Sequence, residues 1–171
     1  MIWLVTGGSG CWKSTWAEKL VQSLPGEKRI YIATMQVYDQ ESEKRVQRHR
    51  AQRANLGFRT VECEKNLSAA QIDAGSVVLL EDLVNLTANE MFDGGDPNRI
   101  IPDLLDVSTR CNHLIMVTND LFSDGETYSS SVQEYLRCLA EVNRQAARLA
   151  DHVIEVVYSI PVTLKGELPC L

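Results

Sequence analysis

The sequence has no long hydrophobic run, no closely paired cysteines and no excess of positive charge, and each absence argues against a class of protein. No apolar run reaches the roughly 18 residues that a membrane-spanning helix needs, and the amino terminus leads into a candidate strand without a charged leader. The net charge of -6 offers no general attraction for nucleic acid or anionic membranes. We therefore predict a cytoplasmic protein with small-molecule partners, no nucleic-acid partner and no membrane span.

The five cysteines are odd in number and scattered, and no two of them form a C-x-x-C pair. This distribution favours reduced structural or surface thiols over a zinc site or a redox centre. The positions are Cys11, Cys63, Cys111, Cys138 and Cys170. A chain of 171 residues that is 44% hydrophobic can bury a full core, so residues 1–171 are predicted to form a single domain.

Short apolar runs alternate with helical stretches along the chain. The candidate strands, rich in β-branched residues, are Ile2–Val5, Arg29–Ala33, Phe58–Cys63, Val77–Leu80, Leu114–Val117, Val153–Val157 and Ile160–Leu164. The candidate helices are 13–24, 41–53, 83–92, 99–109 and 130–149. This alternation predicts an α/β fold with a mostly parallel twisted sheet, helices on both faces and an antiparallel hairpin at the carboxyl-terminal edge. His113 and His152 stand beside the starts of apolar strands, which favours structural roles for both.

Residues 3–15 read WLVTGGSGCWKST, an apolar strand that runs into a glycine turn and then into Lys13 and Ser14. This nearly matches the P-loop pattern G-x-x-x-x-G-K-[ST], in which backbone N–H groups surround phosphates, the lysine reaches the β- and γ-phosphates and the hydroxyl holds Mg²⁺. Gly7 supplies the first glycine, but Trp12 stands where the second belongs. An indole at this position must either swing outward or occupy the space of the phosphate.

Polar side chains follow two further candidate strands. The run Val77–Leu80 is followed by Glu81 and Asp82, the pattern of a Walker B strand that supports Mg²⁺ beside a nucleotide. Either carboxylate could serve, and the alternative is an ordinary strand that ends in solvent-facing acids. After the strand that ends at residue 117, Asn119 or Asp120 either contacts the nucleotide or caps a turn.

Arg45, His49 and Arg53 recur every four residues and so line one face of the candidate helix 41–53. Cations beside a histidine can bind phosphate oxygens, and they favour the neutral imidazole that nucleophilic attack requires. Attack of such a histidine on an α-phosphate would give a nucleotidyl-enzyme. The alternative is a solvated, charged helix face.

Together these residues resemble the bifunctional adenosylcobinamide kinase / adenosylcobinamide-phosphate guanylyltransferase family of adenosylcobalamin biosynthesis. The similarity covers nearly the whole chain. Each matching segment is weak evidence by itself, but the set of segments in this order and at these spacings is specific. The segments are Val5–Gly8, Lys13–Ser14, Tyr31–Gln36, Arg45–Arg50, Arg59–Glu62, Leu79–Glu81, Asn89–Phe92, Val117–Asp120, Val142–Arg144 and Ala150–Asp151.

The resemblance implies a P-loop enzyme that phosphorylates adenosylcobinamide and then transfers GMP from GTP to adenosylcobinamide phosphate through a GMP-histidine. It implies GTP, ATP and Mg²⁺ as ligands, His49 and Lys13 as catalytic residues, and a homo-oligomer, typically a trimer. Ser14 and Glu81 match the positions that would hold the metal. The implied nucleotide contacts are Gly7, Gly8, Ser9, Gly10, Cys11, Trp12, Lys13, Ser14, Thr34, Met35, Gln36, Arg50, Ala51, Gln52, Arg53, Glu62 and Glu81.

The chain departs from the family pattern at Trp12, which replaces the P-loop glycine, at Cys11, where a small polar residue is usual, and at Asp120, where glutamate is usual. Intrusion of the indole would weaken nucleotide binding, and the first alternative is therefore a corrinoid- or partner-binding scaffold without catalysis. The presence of Lys13 together with the implied metal-binding and catalytic residues argues against this scaffold alternative. The second alternative is another small-molecule P-loop kinase, in which the face that carries His49 only binds phosphate.

Overall fold

The computed structural model describes residues 1–36, 47, 55–121 and 128–169. Within these residues the strands are β1 (Ile2–Thr6), β2 (Arg29–Ala33), β3 (Phe58–Glu62), β4 (Val77–Glu81), β5 (His113–Val117), β6 (His152–Val157) and β7 (Ile160–Lys165). The α-helices are α1 (Lys13–Ser23), α2 (Leu83–Phe92), α3 (Ile100–Arg110) and α4 (Ser130–Leu149). Two short 3₁₀ turns, Leu67–Ala69 and Pro97–Arg99, precede β4 and α3.

The strands form one sheet in the order β3-β2-β4-β5-β1-β6-β7. All neighbouring pairs are parallel except β6 and β7, which pair antiparallel at the edge. The predicted α/β fold and the edge hairpin are therefore confirmed. The strand that leads into the glycine turn, β1, lies inside the sheet between β5 and β6, so other strands end on both sides of that turn.

The inner strands are apolar on both faces because helices cover both. In β1, Trp3 and Val5 pack with Leu20 of α1 on one face, whereas Leu4 belongs to the core on the other face. That second face also buries apolar residues of α2, α3 and α4, Leu86, Leu104 and Ala146 among them. Because successive side chains of a strand point to opposite faces, a continuous apolar run is what a sheet covered on both sides requires.

Where predicted and observed boundaries of the described strands and helices differ, they differ by a single residue. The predicted helix 99–109 is observed at Ile100–Arg110, because a 3₁₀ turn capped by Asp96 takes the preceding residues: the Asp96 carboxylate accepts from the N–H of Asn98 at 3.0 Å. Glu81 lies inside β4 rather than after it. The predicted helix 41–53 lies outside the described residues apart from Gln47.

The two described histidines begin β5 and β6, at the edge of the sheet opposite the glycine turn. The ring of His152 stacks on Trp3 with centroids 3.9 Å apart, and its Nδ1 accepts from the N–H of Glu167 at 3.0 Å. Burial lowers the pKa of His113. Both placements agree with structural roles.

The four cysteines in the described residues are free thiols, as predicted, whereas Cys170 lies outside them. Burial raises the pKa of the Cys111 thiol to about 11. No helix in the described residues is both long enough and apolar enough to cross a bilayer.

Candidate active site

The glycine turn after β1 forms a loop that leads directly into α1. The N–H of Cys11 donates to the carbonyl of Gly8 at 3.4 Å, and Lys13 Nζ donates to the same carbonyl at 3.2 Å. The N-cap residue of α1, Trp12, makes no capping hydrogen bond with its side chain to the described residues. The first N–H groups of a helix have no partner within that helix, so an uncapped start next to a lysine is suited to binding an anion.

Gly7 is the position where the loop passes closest to the sheet. Its φ is +147°, and a Cβ built on it would lie 2.5 Å from the carbonyl oxygen of Val156 and 2.8 Å from Cys11 Sγ. Only glycine fits this contact between the loop and β6 without displacing backbone.

Replacing Gly7 with alanine should therefore lower the free energy of unfolding by about 1–3 kcal/mol, the usual cost of a strained backbone position. Urea denaturation measures the change. Gly8→Ala is the matched control, because a Cβ at Gly8 meets nothing within 4 Å. Equal stability of the two variants would contradict the packing argument.

Trp12 keeps the backbone conformation that a glycine would provide at this place. Its φ of 70° and ψ of 22° are left-handed, and it forms the N-cap of α1. The indole is 66% exposed, whereas Trp3 and Trp16 are only 4% and 8% exposed. The residue therefore adopts a backbone conformation that favours glycine, and its side chain is not packed into the protein core.

The hydroxyl of Ser14 donates a hydrogen bond to Glu81 Oε1, which joins the first turn of α1 to the end of β4. A serine hydroxyl and a carboxylate are both oxygen ligands of the kind that Mg²⁺ prefers, usually together with water and substrate phosphates. No group of three or more His, Cys, Asp and Glu side chains that could hold a metal occurs in the described residues. The pair fits a magnesium ion that is shared with a nucleotide better than one held by protein alone.

The neighbouring carboxylate has a different position, which separates the two candidates that the sequence left open. Asp82 caps α2: its Oδ1 accepts from the backbone N–H of Asn85 at 2.8 Å and from Asn85 Nδ2 at 2.9 Å. Burial raises the pKa of Asp82, and the hydrogen bonds from Asn85 partly oppose this effect. Glu81 is therefore the carboxylate that contacts the P-loop, and Asp82 supports the helix behind it.

The sheet register brings several predicted site residues to one edge. Ala33 of β2 is paired with Glu62 of β3 on one side and with Glu81 of β4 on the other. Thr34 follows directly: its N–H donates to the Glu81 carbonyl at 3.1 Å, and its hydroxyl is hydrogen-bonded to the backbone of Asp82. Met35 and Gln36 come next and are half-buried. The structure thus places Thr34 to Gln36, Glu62 and Glu81 along the edge that carries the glycine turn.

The segment after β5 is held against the P-loop. The N–H of Asp120 donates to the carbonyl of Gly7 at 3.4 Å. Asn143 of α4 accepts from the Thr118 hydroxyl at 2.6 Å and donates to the carbonyl of Asn119 at 3.3 Å. Oδ1 of Asn119 is buried without a hydrogen-bond partner in the described part of the chain. This segment fixes the loop from one side, and the carboxylate of Asp120 is exposed there.

Some of the predicted site lies outside the described residues. These positions are Arg45, Arg48, His49, Arg50, Ala51, Gln52 and Arg53. Their roles stay predictions. The segment that contains them follows Gln36, at the carboxyl ends of the strands, where the glycine turn also lies. It precedes β3, whose first residue, Phe58, is paired with Arg29 at the opposite ends of the strands.

The sequence reasoning missed three contributions to the site. Asn89 and Asn143 were part of the family resemblance but had no assigned role. Asn89 Nδ2 donates to the carbonyls of Thr34 and Glu64 at 2.8 and 3.0 Å, which secures the ends of β2 and β3. The N–H of Ser159, in the turn between β6 and β7, donates to the Cys11 carbonyl at 3.2 Å. No local pattern in the sequence marks this last contact, because it joins residues far apart in the chain.

An inner strand of this largely parallel sheet leads into a glycine turn, a lysine and a serine, and the serine is hydrogen-bonded to the carboxylate of another strand. This arrangement defines a P-loop α/β nucleotide-binding fold. The profile of the family described as "Cobinamide kinase / cobinamide phosphate guanyltransferase" matches residues 3–164. The chain belongs to this family of bifunctional enzymes.

Two curated relatives cover almost the whole chain. The chain is 34% identical to the bifunctional adenosylcobalamin biosynthesis protein CobU of Escherichia coli K12 and 32% identical to the protein of the same name from Salmonella typhimurium LT2. Each alignment covers 96% of this chain and 100% of the relative. Among solved structures, a protein of Pyrococcus horikoshii OT3 superimposes with a TM-score of 0.53 at 9% identity, over 96% of this chain and 86% of that one, which shows a shared fold alone.

Proposed function

We propose that this chain phosphorylates adenosylcobinamide and then transfers GMP from GTP to adenosylcobinamide phosphate, through a GMP-histidine formed on His49. The names of the relatives and the description of the family support both the biosynthetic pathway and the two reactions. The observation that carries the proposal is the hydrogen bond from Ser14 to Glu81 beside Lys13, because it assembles the parts of a triphosphate site at one sheet edge.

In the first reaction, the hydroxyl oxygen of adenosylcobinamide attacks the γ-phosphorus of ATP or GTP, the nucleoside diphosphate leaves and the hydroxyl proton passes to solvent. Lys13 and the uncapped N–H groups of α1 bind the phosphate oxygens on which charge accumulates. Ser14 and Glu81 would hold Mg²⁺, directly or through water, and the ion would supply further positive charge at the phosphates.

In the second reaction, a ring nitrogen of His49 attacks the α-phosphorus of GTP and pyrophosphate leaves. A phosphate oxygen of adenosylcobinamide phosphate then attacks the same phosphorus, the P–N bond breaks and adenosylcobinamide-GDP is released. The arginines predicted around His49 would bind the phosphates and favour the neutral imidazole. We also propose one domain over residues 1–171, a cytoplasmic location and, from the resemblance, a homo-oligomer, typically a trimer.

The proposal predicts that the purified chain, incubated with Mg²⁺ and GTP labelled at the α-phosphate, keeps the label after denaturation. The label should be lost in acid, because a P–N bond is acid-labile. GTP labelled at the γ-phosphate is the matched control and should leave no label on the protein. In parallel, γ-labelled ATP or GTP should label adenosylcobinamide.

Other outcomes identify the alternatives. Phosphorylated corrinoid without a labelled protein would support a plain P-loop kinase. Neither product, together with corrinoid binding, would support a scaffold without catalysis.

A further inference from the structure

Two exposed aromatic residues, Trp12 and Tyr158, flank a backbone contact between the P-loop and the turn after β6. Trp12 is 66% exposed, and Tyr158, in the turn between β6 and β7, is 89% exposed. The hydrogen bond from the Ser159 N–H to the Cys11 carbonyl, 3.2 Å long, joins the residue after Tyr158 to the residue before Trp12. Neither ring stacks on another aromatic ring within the described residues. Two exposed aromatic side chains thus border the P-loop.

Both aromatic residues occupy backbone conformations that bulky side chains rarely adopt. The φ angles are 70° at Trp12, 49° at Tyr158 and 67° at Ser159. Glycine or asparagine would meet the same turns at lower cost, and glycine is also what the P-loop pattern expects at position 12. Strained residues of this kind are concentrated at ligand sites. The fold does not require aromatic side chains at these two positions, so their presence needs a functional explanation.

The sheet order gives the loop two distinct sides. On one side of β1, beyond β5, lies Glu81 of β4, which binds Ser14. On the other side lie β6 and the turn that carries Tyr158, attached to Cys11. The metal and the β- and γ-phosphates of a P-loop nucleotide lie at the serine and carboxylate side. The nucleoside extends from the other end of the triphosphate, so its base has the aromatic side available.

We propose that Trp12, supported by Tyr158, is a stacking platform for the base of the nucleotide whose phosphates occupy the P-loop. The proposal rests on the nucleotide binding in the proposed function and adds a specificity-determining contact to it. Stacking on an indole requires only a flat π surface, so the platform increases affinity for purine nucleotides over phosphate chains that have no base. Stacking of the base on Trp12 would then offset any affinity for the phosphates that is lost because the P-loop glycine is missing.

The test compares GTP with inorganic tripolyphosphate, which has the phosphates but no base, by calorimetric titration of wild type, Trp12→Ala, Trp12→Phe and Tyr158→Ala. Trp12→Ala should weaken GTP binding about tenfold or more, the effect of losing one base–aromatic stack. Trp12→Phe should retain most of the affinity, Tyr158→Ala should lose a smaller part, and tripolyphosphate should bind all four alike. Leu105→Ala, which removes another exposed apolar side chain on α3, is the control and should bind GTP as wild type does.

Fluorescence gives a second readout. Since Trp3 and Trp16 are buried, quenching of exposed indole emission by GTP but not by tripolyphosphate reports stacking on Trp12. GTP binding by Trp12→Ala that equals or exceeds that of wild type would overturn the platform and indicate that the indole obstructs the loop. The proposed function fails separately: it is overturned if GTP stacks on Trp12 as described but no α-label is transferred to the protein or the corrinoid.

Discussion

Replacing His49 with alanine should reduce the α-phosphate label on the protein at least about a thousandfold, because the group that forms the covalent bond is gone. Phosphorylation of adenosylcobinamide should continue within a few-fold of the wild-type rate, since that reaction needs the P-loop and not the histidine. Both quantities can be measured on the same preparation with α- and γ-labelled GTP. The contrast between the two reactions is the expected result, rather than a general loss of activity.

His113→Gln is the matched control for this experiment. His113 starts β5, at the edge of the sheet opposite the glycine turn, so this variant should keep the covalent label. A labelled His49 variant would show that another nucleophile carries the nucleotide. Loss of phosphorylation in the same variant would mean that the residue acts in both reactions and not only as the site of guanylylation.

The second large effect is expected at Glu81. Glu81→Gln should keep a hydrogen bond to Ser14 but remove the negative charge that supports Mg²⁺, so both reactions should slow about 100- to 1,000-fold, the usual cost of one electrostatic group in such a site. Rates with saturating nucleotide at several Mg²⁺ concentrations would show a higher requirement for the metal.

Asp82→Asn provides the comparison, because the next carboxylate in the chain caps α2 instead of contacting the P-loop. Asparagine is as good an N-cap as aspartate, so this variant should remain within a few-fold of wild type in both reactions and keep its stability. Equal losses in the two variants would contradict the division of roles between Glu81 and Asp82.

The family resemblance implies Glu81 as the metal-binding carboxylate, whereas the pattern of residues alone leaves Glu81 and Asp82 both open. The strand Val77–Leu80 was predicted because its apolar run suits a strand covered on both faces, and the structure extends it by only one residue, to Glu81. Which of two adjacent carboxylates faces the P-loop depends on which one meets Ser14, a contact between residues 67 positions apart. Local patterns therefore located the carboxyl end of this strand correctly but did not determine which of the two carboxylates faces the P-loop.

The same limit applies to the P-loop itself. The sequence showed that Trp12 replaces a glycine, but only the structure shows that the residue adopts the left-handed conformation with its indole exposed. The neighbouring aromatic, Tyr158, could not be associated with the loop at all, because a hydrogen bond between distant backbone groups brings them together. Periodicity and motifs in the sequence predicted the fold class, the hairpin at the edge of the sheet and the glycine turn. The residues that surround the loop are brought there by tertiary contacts, which local patterns do not predict.

Those contacts also determine when the loop can acquire its shape. Strand β1 pairs on one side with β5, Ile2 opposite Leu114, and on the other with β6, Trp3 opposite His152. The loop that follows is attached to Asp120 and to Ser159. A ribosome therefore makes the glycine turn first and its neighbours only after more than a hundred further residues. During synthesis the emerging chain therefore carries the P-loop sequence long before the strands and turns that hold the loop in place have been made. Because these contacts join residues so distant in sequence, their formation is expected to be one of the slower steps of folding.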